Sequence, residues 1–340
     1  MKKTLLATAI AGAAFASAGA QAATIYNEDG TKLDLYGNIQ IAYYDVNDAA
    51  GDSKDTLTDN GSTVGFAGEH LITRDLKGYF KAEFEHDADE AKTAGGLDTG
   101  DQAYTGLKGN FGDVRVGSWD PLIDDWIQDP ITNNQYFSAS DSSKRIDGLS
   151  DREGNKVSYT SPSFSGFQFA VGTQFEGDDE AENTEGSSNA SFFGGAKYTA
   201  GAFSIAAVYD NLDNYDAEIG GTDYDAGDQY GITAQYTVDT LRMALKLERF
   251  DSGNDVIEDV NYYGFGARYG YGMGDIYGAY QYVDVGGDWP NERESETYNE
   301  VVLGATYNVS DAMYTFVEGA MYDREDDVDD GVAVGAVYLF

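Results

Sequence analysis

From Leu33 onward the chain alternates apolar and polar residues with a period of two, in runs of about ten residues, the length of a tilted strand that crosses a bilayer. In the first run Leu33, Leu35, Gly37, Ile39, Ile41 and Tyr43 face one way, and Asp34, Tyr36, Asn38 and Gln40 the other. The pattern returns with Phe167, Phe169, Val171, Thr173 and Phe175, and again with Tyr230, Ile232, Ala234, Tyr236 and Val238. Strands are predicted near 33–44, 62–72, 76–86, 101–111, 113–118, 155–162, 166–176 and 190–199. The remainder fall near 202–211, 228–238, 241–251, 260–270, 275–285, 297–308, 312–323 and 331–340, which makes sixteen.

The connections alternate as well. Short ones, such as Asp239-Thr240 and Ala200-Gly201, interleave with long ones at 45–61, 87–100, 119–154, 177–189, 212–227, 252–259, 286–296 and 324–330. Seven short turns between eight long loops suit an all-β fold, a 16-stranded antiparallel transmembrane β-barrel with short periplasmic turns and long extracellular loops. Closure removes the strand edges that a membrane would leave unpaired. The last run departs from the rule. Outward-facing Val332, Val334, Ala336, Tyr338 and Phe340 are matched inside by Ala333, Gly335, Val337 and Leu339, so its inner face needs a cover.

Composition adds the destination. Met1-Lys2-Lys3, the apolar run Leu5 to Phe15 and the small-residue site Ala20-Gln21-Ala22 predict a secretory signal, residues 1–22, cleaved before a single barrel domain, 23–340. No other run is long and apolar enough for a membrane-spanning helix. With 26 Tyr, 17 Phe and 42 Gly, the chain is too aromatic for the disorder its charge alone would invite. A net charge of −39 disfavours a nucleic-acid partner. Much of that acid lies in the loops, at Glu176 to Glu185 and Asp323 to Asp330, as a solvated outer face. A divalent-cation site beside lipopolysaccharide, or an adhesive or phage-receptor role, is the sharper reading of the same runs. Neither run has the spacing of a calcium loop.

The residues Gly106-Leu107-Lys108-Gly109-Asn110-Phe111-Gly112-Asp113-Val114-Arg115-Val116-Gly117 resemble the segment that leads into the third loop of Gram-negative general porins. Arg152 to Phe167 is similar to the strand and turn after that loop, and the C-terminal Tyr338 and Phe340 resemble the family's sorting signal. With Ser62 to Glu69 and Leu76 to Phe84, the resemblance spans the mature chain, and its spelling leans toward the vibrio-type branch. It implies a third loop folded into the barrel, a homotrimer, contact with outer-membrane lipid and lipopolysaccharide, and insertion by the barrel-assembly machinery through the C-terminal strand. It also implies passive diffusion of ions and small hydrophilic solutes through a water-filled pore.

The long connection 119–154 is where function is expected. Its carboxylates Asp120, Asp124, Asp125, Asp129 and Asp141 are the acidic side of a constriction, and Arg115, Arg152, Lys77, Lys81 and Lys246 are candidates for the basic wall. Where the family places further bases, this chain has Thr63, Ala67, Asp101 and Ser118, so cation preference is expected. Each base is otherwise a lumen residue paired locally with Glu83, Glu85 or Glu248. No catalytic residues, cofactor or metal ligands are expected, because His70 and His86 complete no nucleophile set. A sugar-specific channel is the remaining alternative, with Trp119 and Trp126 either holding sugar rings or packing the loop.

Overall fold

The structure is a computed structural model and describes residues 22–48, 50–90, 97, 100–144, 154–175, 190–212, 214–219, 222–254, 256–286, 296–324 and 327–340. Its strands are β1 Ala23–Glu28, β2 Thr31–Asn47, β3 Ser53–Asp59, β4 Thr63–Thr73, β5 Leu76–Glu85, β6 Gly100–Gly109 and β7 Gly112–Ser118. Beyond the long loop follow β8 Lys156–Thr160, β9 Phe167–Phe175, β10 Ala190–Ala200, β11 Phe203–Asn211, β12 Asp216–Ile219 and β13 Thr222–Asp225. The chain finishes with β14 Asp228–Val238, β15 Leu241–Asp251, β16 Val260–Gly270, β17 Asp275–Val285, β18 Glu296–Ser310, β19 Met313–Met321 and β20 Gly331–Leu339.

Sixteen of these form one closed antiparallel barrel. The last strand seals it against the first, with Asn38 opposite Leu339 and Val46 opposite Gly331, and the backbones of Gly37 and Phe340 exchange hydrogen bonds of 2.9 and 3.0 Å. Strand β2 outruns its prediction at both ends because it has four partners. β1 and β20 share one edge, while β4 and β3 share the other. The β1–β2 turn is Asp29-Gly30, both residues at positive φ, as a two-residue hairpin with strand-matching twist requires. Strands β12 and β13 pair only with each other, inside the predicted loop 212–227.

The alternation sorts the two faces as expected. Leu245, Leu247, Phe265, Leu303 and Val317 project outward and are exposed, while Lys246, Glu248, Gln281 and Glu318 project inward and are buried. Among the described residues no helix is long and apolar enough to cross a membrane. Apolar packing therefore sits where loops meet the inner wall. One cluster joins Ile131 and Phe137 to Phe316, Ala333 and Val337, and this is the cover that the inner face of the last strand needed. A second, at the ends of β15 to β17 away from the short turns, packs Leu212, Tyr215 and Ile257 on Phe250, Tyr262 and Val283.

Candidate functional site

The loop after β7 enters the barrel as a helical segment. Ile123, Ile127 and Ile131, spaced by four residues, occupy one helical face and are all buried. A π-helical stretch Asp124–Gln128 runs into a short α-helix Asp129–Thr132, which keeps that face on the wall. Ile123 and Ile127 pack on Ala170, Ala206 and Val208 of β9 and β11. Burying an isoleucine side chain contributes about 1.5–3 kcal/mol, so these three hold the helix firmly. The wall makes room with glycines. A Cβ at Gly231 would lie 2.6 Å from Ile127 Cγ2, and one at Gly264 3.0 Å from Ile131 Cγ2.

Three buried wall glutamates dock the rest of the loop. Glu318 on β19 accepts backbone N–H bonds from Gln135, Tyr136 and Phe137 at 2.9, 2.8 and 2.6 Å, and the Tyr277 hydroxyl at 2.6 Å. Glu300 on β18 accepts the Ser140 N–H and hydroxyl, each at 2.8 Å. Glu248 on β15 accepts the Ser142 N–H at 2.8 Å and the Gln128 amide at 2.7 Å. Charged acceptors facing several fixed donors make strong hydrogen bonds.

Opposite the isoleucine face lie the carboxylates. Asp120 accepts a 2.7 Å hydrogen bond from Gln102 on β6. Burial, then the neighbouring carboxylates Asp129 and Asp120, push Asp125 up to about 7, with Arg115 and Lys197 opposing. Asp129 is pushed up to about 6 by burial and by Asp120, against its hydrogen bond with Asn133 and the charge of Arg242. Asp124 is raised well above the usual carboxylate range by burial and by Asp129. Asp141 is buried near the loop's docked end and adds to the field on Asp124 and Asp129.

The wall bases are placed unevenly. Lys81 faces the lumen 3.3 Å from Glu83, and Arg115 lies against the rings of Tyr104 and Trp119. Lys77 pairs with Glu69 at 2.9 Å near the β4–β5 turn, away from the loop. Lys246 is fully buried beneath the loop, 2.7 Å from Glu248, and does not meet the open lumen. Arg152 lies outside the described residues. Trp119 and Trp126 are buried, with Lys156 and Lys197 over their rings at 5.0 and 5.2 Å.

A barrel of sixteen strands with a long loop docked inside it has relatives. The chain matches the Gram-negative porin family over residues 6–327. It is a Gram-negative outer-membrane porin. It is 57% identical over 368 residues to the monosaccharide porin of a Halomonas species and to the major outer membrane protein of Halomonas elongata, with 100% of both chains covered in each case. Its fold is similar to that of Salmonella typhi OmpF, at a TM-score of 0.75 and 22% identity, over 94% of this chain and 100% of that one. An anion-selective porin of Comamonas acidovorans is similar at a TM-score of 0.73 and 21% identity, over 91% of this chain and 100% of the other.

Several residues that shape this porin's interior escaped the reading of its sequence. Lys156 and Lys197 reach the loop from β8 and β10, and the glutamates at 300 and 318 receive it, whereas Arg242 on β15, which acts on Asp129, is pointed inward by strand alternation alone. For the helix a signal was present, in the four-residue spacing of Ile123, Ile127 and Ile131. For the glutamates there was none, because each is one inward residue among many along its strand.

Proposed function

We propose that this porin passes ions and small hydrophilic solutes with a preference for cations. Asp120, Asp124, Asp125 and Asp129 form the acidic side of its constriction, with Asp141 behind them. Arg115 and Lys81 are the wall bases beside the lumen, the one covered by rings and the other paired with Glu83, and Lys77 acts only at the mouth. The observation that carries this reading is the acidic face of the helical segment inside the lumen, set against a wall whose bases are already engaged. In a planar bilayer under a KCl gradient, the reversal potential is expected on the potassium side. Chloride preference would overturn the reading.

The name of the Halomonas relative favours a second solute class, monosaccharides, which pass through the same pore. Concentration-dependent reduction of ionic current by glucose or galactose, saturating in the millimolar range, would establish a sugar site. Linear osmotic swelling of loaded vesicles would instead fit simple diffusion. The exposed apolar outer face supports assembly as a homotrimer in contact with lipid and lipopolysaccharide, tested by native mass measurement. Removal of residues 1–22 predicts Ala23 as the mature N-terminus on sequencing. Deleting Phe340 is expected to lower the yield of inserted barrel, if the C-terminal strand is the assembly signal. We read the molecule as a channel and not an enzyme, and purified protein is expected to hydrolyse neither casein nor phospholipid.

A further inference from the structure

Arg115 stands on the β7 wall close enough to act on Asp125, where its charge would offset the field of the loop. Its surroundings oppose that. The guanidinium carbon lies 4.4 Å from the centroid of the Tyr104 ring and 5.2 Å from that of Trp119, and the two rings meet edge-on with centroids 6.0 Å apart. Beside the rings, Tyr79 donates its hydroxyl to Asp113. The face through which an anion would approach is thus covered. The π-face also presents negative charge density to the cation.

The same arrangement recurs around the lumen. Lys81 sits 5.5 Å from the Tyr36 ring and 3.3 Å from Glu83, and Arg268 sits 4.2 Å from the Tyr277 ring and 3.3 Å from Asp275. Lys81 and Arg268 are thus each covered by a ring and paired with a carboxylate. The loop carboxylates are crowded by one another instead, with Asp125 beside Asp120 and Asp129.

We infer that Tyr104 is a selectivity-determining residue of this porin: its ring covers Arg115, withholds that charge from permeant anions, and leaves the carboxylates of the loop to set the sign of the pore. The inference rests on the cation-preferring reading above. It acts through Arg115, so Tyr104 is a positioning residue and its hydroxyl is not required.

Reversal potentials in a KCl gradient test it. Tyr104→Leu is expected to lower the potassium-to-chloride permeability ratio about threefold, the size of effect one uncovered charge has in a narrow, water-poor pore. Tyr104→Phe, which keeps the ring, is expected to match the parent. In the Arg115→Gln background, Tyr104→Leu is expected to change nothing further. An unchanged ratio in Tyr104→Leu would overturn the inference, as would a shift that persists without Arg115 or one that Tyr104→Phe reproduces. Should Tyr104→Leu not assemble, Tyr104→Gln carries the same three comparisons. Chloride preference in the parent would sink the cation reading alone, because the inference is scored on the difference between variant and parent.

Discussion

Glu318 on the β19 wall and Asp125 on the loop are both carboxylates deep inside the barrel, and their surroundings treat them in opposite ways. Glu318 meets three backbone N–H groups and a phenol, all held by docked structure. Asp125 meets Asp120 and Asp129, with Arg115 and Lys197 as partial compensation. The half of the barrel built from β15 to β20 thus uses acids as sockets for a loop. The half from β5 to β10 instead sets bases such as Arg115 and Lys197 against the crowded loop carboxylates. Fixed donors make a buried carboxylate a structural part, whereas like-charged neighbours make it a titrating one.

The largest test of that contrast removes a socket. Glu318→Ala strands three loop N–H groups and the Tyr277 hydroxyl, and breaking a buried charged network of this kind costs about 3–5 kcal/mol. The expected result is a lower thermal transition and a larger, noisier single-channel conductance, as the loop leaves the wall. Unchanged conductance would break the comparison at its stronger side.

Overpacking the helix seat comes next. Gly231→Val places a side chain into Ile127 and is expected to cost about 1–3 kcal/mol, read as a lower thermal transition with the barrel still closed. The helix seat should feel it and the selectivity should move little.

A change of pH probes the other half. Asp125, at about 7, and Asp129, at about 6, lose charge as pH falls through those values, so cation preference is expected to decline between about pH 8 and about pH 5. Asp125→Asn should remove the upper part of that decline. Stability runs the other way. The folded state holds protons that an unfolded chain releases near 3.8, so it binds more of them over that interval, and stability falls as pH rises through it. A selectivity flat with pH would show that these carboxylates do not face permeant ions.

The smallest expected effect is at Lys77. Its pair with Glu69 is exposed on both sides, so Lys77→Ala is expected to change stability by no more than about 1 kcal/mol and to leave the reversal potential where it was.

The sixteen barrel strands, their alternation of turns and loops, and the covered inner face of the last strand were all legible along the chain, because a strand's faces repeat every two residues. The Asp29-Gly30 hairpin and the helical spacing of Ile123, Ile127 and Ile131 were equally local signals. Which inward residue meets which could not be read that way. Glu318 and Gln135 are 183 residues apart, and only closure of the barrel brings them to 2.9 Å. The same holds for Lys246, which strand periodicity points inward but which the docked loop buries. Periodicity assigns a face, while the partner across the lumen depends on barrel closure and on where a long loop comes to rest.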